Sequence, residues 1–343
     1  MAPSARPPET PSRAELIGDP GLPHAQPCCP LCGSGGVEII DVLPFRDLRR
    51  LWFEVADLDI LTCLAKPYEE PGVALRGCLD CGLRFYPASL CGSPRLYEHL
   101  GKYDYYYQPE KWEFRLALED LAAAQSILEV GCGTGGFLEQ VTRSRPGSRV
   151  VGLELNAEAL AVSRDRGLAV HAQGIAEFAR EHGGEFDAVC AFQVLEHVPD
   201  PDDFLRAGFH CMRDGGRFIL GVPNGQGFTR YAVNDFGNMP PHHLTRWSAD
   251  VMGNVAGRYG ATVERILPEP VADYHKAWYR DTLTVQLISA ALGLRWKRVE
   301  VGTRYRLMLG VCRRLQRCIP GWLWRYTRYP GHTMYVALRK VGP

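Results

Sequence analysis

No run of apolar residues in this 343-residue chain reaches the ~18–20 positions that a membrane-spanning helix requires. The longest stretch, Thr282 to Leu294, is interrupted by Gln286. Net charge is also missing: 39 Lys and Arg stand against 39 Asp and Glu, which excludes a generic nucleic-acid coat protein. Residues 1–27 contain no apolar segment of the secretory type and are rich in proline, so a disordered tail without an export signal is expected. No internal repeat is present. Collagen, coiled coil, a disulfide mini-protein and an integral membrane protein are therefore excluded, and the expected location is cytoplasmic or peripheral to a membrane. Without export the thiols stay free, and clustered cysteines then point to metal rather than to disulfides.

What is present divides unevenly. Seven of the 12 cysteines precede residue 92, which marks a Cys-rich module at 28–95. An aromatic and helical connector follows at 96–125, with Tyr105, Tyr106 and Tyr107 in sequence and helical spacing over Phe114–Ala124. From Ser126 onward, short apolar runs alternate with helical patterns. The expected strands are Ser126–Val130, Arg149–Leu153, Ala169–Ala172, Phe186–Phe192, Gly216–Val222, Ala261–Ile266 and Thr333–Leu338. The expected helices are Phe137–Ser144, Ala157–Arg166, Ile175–Glu181, Pro201–Met212 and Ser248–Tyr259. Strand–helix units at this spacing imply an α/β domain over 126–343, with a parallel sheet covered on both faces.

The densest chemical signal is Glu129-Val-Gly131-Cys132-Gly133-Thr-Gly135-Gly136. Its glycines fit a dinucleotide loop, but Glu129 lies at the end of the preceding strand and would repel a pyrophosphate. It suits an ammonium group. Glu154, followed by Leu155, ends the next strand, where an acid accepts hydrogen bonds from a ribose diol. An adenosine carrying an amino acid satisfies both carboxylates, which describes S-adenosylmethionine (SAM). With Val150-Val-Gly-Leu-Glu154, Phe186-Asp-Ala-Val-Cys-Ala-Phe-Gln-Val-Leu-Glu-His-Val198 and Gly215-Gly-Arg-Phe-Ile-Leu-Gly-Val-Pro223 in order, the chain resembles class I SAM-dependent methyltransferases. The resemblance implies a Rossmann-like sheet of order 3-2-1-4-5-7-6 with strand 7 antiparallel. It also implies that Gln173, Gly174 and Ile175 lie against adenine, with Gln193 and Val194 near the methionine end. Gln173 departs from the acid that the family often carries there.

Two further knuckles, Cys29-Pro-Leu-Cys32-Gly33 and Cys78-Leu-Asp-Cys81-Gly82, match a closed four-thiolate site for structural Zn2+. Cys28 competes with Cys29 as a ligand. Such a module ahead of a methyltransferase domain resembles a subset of bacterial enzymes that modify sugars or other small metabolites.

Methyl transfer from a sulfonium needs alignment, and a base only where the nucleophile holds its proton. His242 and His243, in Pro240-Pro-His-His-Leu-Thr-Arg-Trp247, are the expected base candidates, with His197 after the fourth strand. Loop packing is the alternative for all three. Asn224, Asn234 and Asp235 are expected at the acceptor pocket. The tyrosine cluster reads either as a lid or as packing between modules. Residues 271–330 form an insert, and from Arg295 to Arg328 it carries ten basic residues against Glu300 alone. Met308, Val311, Cys312, Leu315 and Ile319 recur in it at helical spacing. Three readings stay open for the stretch: a solvated helical face, a grip on an anionic substrate, or contact with a membrane surface.

The function expected is methylation of a small-molecule or glycan acceptor, on oxygen or carbon. An RNA methyltransferase is one alternative, but no Asn/Asp-Pro-Pro-aromatic motif follows the fourth strand, so nucleic acid is not the expected partner. A non-catalytic SAM-binding scaffold is the other. The sequence is silent on oligomeric state.

Overall fold

The computed structural model describes residues 28–103, 106–108, 110–316 and 329–342. The expected disordered tail at 1–27 lies outside them, as do Tyr105, Cys318 and Ile319.

The N-terminal module contains strands β1 (Val37–Pro44), β2 (Gly72–Cys78) and β3 (Arg84–Phe85), and helices α1 (Phe45–Ala56) and α2 (Pro94–Leu100). The remaining strands are β4 (Ser126–Val130), β5 (Arg149–Leu153), β6 (Val170–His171), β7 (Phe186–Phe192), β8 (Met212–Pro223), β9 (Thr245–Arg246), β10 (Ala261–Pro268) and β11 (Thr333–Lys340). The remaining helices are α3 (Trp112–Asp120), α4 (Gly136–Ser144), α5 (Ala157–Asp165), α6 (Ile175–Phe178), α7 (Pro201–Cys211), α8 (Ala249–Arg258), α9 (Lys276–Ala291) and α10 (Thr303–Gln316).

Seven strands form one sheet in the order β6-β5-β4-β7-β8-β11-β10. β11 runs antiparallel to both β8 and β10, so the expected order 3-2-1-4-5-7-6 is borne out. Every residue of β7 is buried, because helices cover both faces of a central parallel strand. Alternation divides the core accordingly. Ile127, Ala188, Cys190, Phe192 and Ile219 pack with Phe114 and Ala117 of α3 and Phe137 and Val141 of α4. Leu128, Val130, Val189, Ala191 and Leu220 face Phe178 of α6, Phe204 and Leu205 of α7, and Met252 of α8.

Several boundaries differ from expectation. The fifth strand starts at Met212, and the helix expected over Ile175–Glu181 stops at Phe178. The connector helix ends at Asp120. The amphipathic stripe of α10 is also corrected. Tyr305 and Cys312 are buried, with Met308 and Leu309 packed beside them, whereas Val311 and Leu315 join Leu307 on the exposed side. The apolar segment near Thr282–Leu294 belongs to α9, which buries Tyr279, Leu283 and Val285. Among the described residues, no helix is long and apolar enough to cross a membrane.

The second sheet has the order β1-β2-β3-β9, and its last strand comes from beyond the fifth strand of the main sheet. Arg84 and Phe85 pair with Arg246 and Thr245. The Trp52 indole donates to the Pro240 carbonyl at 2.9 Å, and the amides of Tyr86 and Gly92 donate to the carbonyls of Leu244 and Pro241. The N-terminal module thus grips the 240–246 loop.

Candidate functional site

The glycine loop leaves β4 with Gly131, Gly133 and Gly135 all at positive φ (70°, 54° and 83°). The amides of Gly131 and Cys132 both donate to the Leu153 carbonyl, which pins the loop across the end of β5. A Cβ on Gly131 would meet Val194 Cγ2 at 2.5 Å, and one on Gly133 would meet the Tyr107 ring at 2.9 Å, so neither position admits a side chain. Cys132 turns inward to pack with Leu138 and Val170, and offers the site its backbone only.

The two carboxylates differ in kind. Glu154 Oε2 accepts from the Gly133 amide at 2.7 Å, and its Oε1 accepts from Leu155 and Asn156 at 2.8 and 2.7 Å. Oε1 thus has both lone pairs engaged, and Oε2 keeps a second one for a ligand. Leu155 beside it is 73% exposed, an apolar surface open to a flat ligand. Glu129 is buried, and its Oε2 has no hydrogen-bond partner. Burial holds its carboxyl well above the ordinary range. A buried carboxylate oxygen without a partner, beside a glycine cradle, fits the ammonium end of an amino-acid ligand.

Gln173 reaches Glu177 at 3.3 Å at the start of α6, with Gly174 half-buried and Ile175 buried behind it. Gln193 sits at φ 58°, a rare conformation for a residue with a side chain, at the carboxyl end of β7. Its amide nitrogen donates to Glu113 Oε1 at 3.2 Å. Sequence reading missed Glu113. The only available signal was a charge on the face of α3 that also carries the buried residues Phe114, Leu116 and Ala117.

The three expected histidines meet. His197, His242 and His243 each place one ring nitrogen within 4.8 Å of the others. The His242 and His243 rings stack at 4.4 Å between centroids, and His197 lies 4.4 Å from His242. Burial lowers all three, His197 to about 4, so the rings are neutral near pH 7. Glu196, fully buried beneath them, is pushed up to about 8 by burial. The Tyr103 hydroxyl donates to Ala56 of α1, Tyr106 lies 3.4 Å from His242 Nε2, and Tyr107 covers Gly133. Asn234 spends its amide on the Glu300 backbone, a tie to the segment before α10, and Asn224 Oδ1 accepts from the Gln226 amide, which closes a local turn. Asp235 is held up to about 6 by burial, and its Oδ2 has no hydrogen-bond partner.

Cys29, Cys32, Cys78 and Cys81 also converge, with all sulfurs within 4.8 Å and the pairs Cys29–Cys81 and Cys32–Cys78 at 3.5 Å. Zinc–sulfur bonds of ~2.3 Å in a tetrahedron separate sulfurs by about 3.8 Å, so this donor set fits the ion. Gly33 and Gly82 turn at φ 75° and 76° to close each knuckle. Cys28 is exposed and is not part of the cluster.

Residues 103–266, just under half of the chain, match the family described as a methyltransferase domain. The strand order above is that of the Rossmann-like methyltransferase fold. The chain is 39% identical over 106 residues to the ubiquinone biosynthesis O-methyltransferase of Sodalis glossinidius, covering 29% of this chain and 42% of that protein. It is 36% identical over 122 residues to the enzyme of the same name from Xanthomonas oryzae pv. oryzae, covering 34% of this chain and 50% of that one. The chain spans about half the length, or less, of these curated relatives. A solved SAM-dependent methyltransferase from Archaeoglobus fulgidus aligns with TM-score 0.46 and 14% identity, over 71% of this chain and 100% of that one.

Proposed function

We propose that the protein transfers the methyl group of SAM to a small-molecule acceptor, on oxygen in preference to nitrogen. The observation that carries this is the pairing of Glu129, buried without a partner at Oε2, with Glu154, held by three amides, on either side of the glycine loop. In this reading Glu129 takes the ammonium group and Glu154 the ribose diol. Gly131, Cys132, Gly133 and Gly135 supply close backbone. Leu155, Gln173, Gly174 and Ile175 flank the adenine, and Gln193 and Val194 stand at the methionine end. SAM supplies an electrophilic methyl on a sulfonium, and the chain's own residues align the acceptor and receive its proton. In the metal-free protein His197, His242 and His243, already in the neutral form, are the groups to receive it. The names of the two relatives support an oxygen acceptor.

The four cysteines hold one structural zinc in the same reading. With four thiolates around the ion no position is left for substrate. Residues 28–95 then act as a clamp on the loop that carries His242 and His243.

Calorimetric titration of the full chain with S-adenosylhomocysteine tests the reading, followed by transfer of labelled methyl from SAM to phenols, catechols and amines. Micromolar binding is expected. Glu129→Gln is expected to weaken it at least tenfold without lowering the melting temperature, because the amide replaces a buried carboxyl whose Oε2 has no partner to lose. A folded protein that does not bind would overturn the proposal.

A further inference from the structure

The histidine cluster has the features of a ligand set. His197 Nδ1 lies 2.7 Å from the His242 carbonyl, and His242 Nδ1 lies 2.8 Å from the Gly237 carbonyl. A carbonyl only accepts, so both Nδ1 atoms carry the proton and both Nε2 atoms present lone pairs. His243 Nδ1 follows the same pattern with Asn238 Oδ1 at 2.9 Å. Fixing the ring through Nδ1 while leaving Nε2 free is how proteins orient histidines that bind metals. Glu196 adds a carboxyl group. Its Oε1 lies 3.9 Å from the Nε2 of His197 and equally far from that of His243, too far for a hydrogen bond. Neither Glu196 oxygen has any hydrogen-bond partner, and the side chain is fully buried. Imidazole lone pairs and a carboxyl group without hydrogen-bond partners therefore face one another. The Tyr106 hydroxyl, 3.4 Å from His242 Nε2, is the one donor recorded for these atoms among the described residues.

We propose that His197, His242 and His243, with Glu196, form a second metal site, for a divalent transition ion. Imidazole with a single carboxylate selects zinc, iron, cobalt or nickel over magnesium and calcium, which take oxygen sets. Bonds of ~2.1 Å place tetrahedral donors roughly 3.4 Å apart, so the carboxylate closes on the ring nitrogens by roughly 0.5 Å when the ion enters. The elements are placed for it. Glu196 and His197 follow β7, and the 240–246 loop is tied there by the amides of Leu244 and Thr245, which donate to the Glu196 backbone carbonyl. The site stands one tyrosine from the glycine loop, since Tyr106 packs against Tyr107 and Tyr107 covers Gly133. The inference stands on the ligands alone and does not depend on methyl transfer.

Cobalt titration of the metal-stripped full chain tests it. Two equivalents are expected, one with thiolate charge-transfer bands and one with ligand-field bands alone. The protein carrying both should show hyperfine-shifted exchangeable imidazole protons. His197→Ala and His243→Ala should each lose one equivalent and keep the thiolate bands, and Cys78→Ser should lose the other. Binding of a single equivalent by the wild-type protein overturns the proposal. So does a second equivalent that survives both histidine substitutions. If the variants fail to fold, the wild-type protein still decides: two bound cobalt ions without shifted imidazole protons refute the site.

Discussion

The amide of Gly133 donates to the Glu154 carboxylate at 2.7 Å, so the tip of the glycine loop and the end of β5 are one hydrogen-bonded unit. Leu155 and Asn156 hold the second oxygen, which leaves the carboxylate aligned before any ligand arrives. Hydrogen bonds to a charged group contribute ~1.5–3 kcal/mol each. Glu154→Ala should therefore weaken S-adenosylhomocysteine binding by roughly 10- to 100-fold in calorimetry, with a smaller loss for Glu154→Gln. Equal affinities in all three proteins would remove Glu154 from the site.

Gly133 bears two constraints that can be separated. Its φ of 54° costs an alanine ~1–2 kcal/mol, and the added Cβ meets the Tyr107 ring at 2.9 Å. Gly133→Ala should lower both melting temperature and cofactor affinity. Adding Tyr107→Ala should recover the steric part and leave the backbone part. A double variant no better than the single one would mean that Tyr107 yields freely and forms no cover.

The cysteine site predicts a coupled loss. Cys78 ends β2, and the Cys81 carbonyl accepts from Asn254 of α8 at 3.1 Å, so the cysteine cluster, sheet and main domain are joined there. Cys78→Ser should release one zinc per chain by elemental analysis and lower the melting temperature by several degrees, because structural zinc binding is also folding free energy. Unchanged zinc content would refute the site.

Glu269 sets a pH dependence of stability. Burial, and then the Glu113 charge, push it from 4.5 up to about 7. The native state therefore holds this proton more tightly than the unfolded chain does. The resulting stability is fully present below pH 4.5 and is lost as pH rises to about 7. Glu269→Gln should match the wild type in acid and exceed it at pH ~8, by on the order of 1–3 kcal/mol. Parallel melting curves across that range would contradict the shift.

Much of the core was legible because its signals are local. The strand runs, the glycines that need positive φ, the acids ending β4 and β5, and the two knuckles lie within a few residues of what they specify. The site was legible in part. Glu154 and the glycines announced themselves by position. Glu113 did not, because a single carboxylate opening a helix reads as an N-terminal charge until the fold buries it. Glu196 was hidden for a similar reason, as a neighbour of His197 rather than a buried carboxyl group.

The sequence by itself determined the strand–helix alternation, the order of the motifs and the pairing of cysteines into turns, since each follows from side-chain periodicity and backbone allowance over short spans. Only the tertiary structure decided that β9 completes the sheet of the N-terminal module, that α10 buries Tyr305 and Cys312 while exposing Val311 and Leu315, and that His197 meets His242 and His243 over a buried Glu196. Those contacts join residues tens of positions apart or more. Which of the available apolar and polar faces meet is settled by packing the whole chain at once, and no local pattern encodes it.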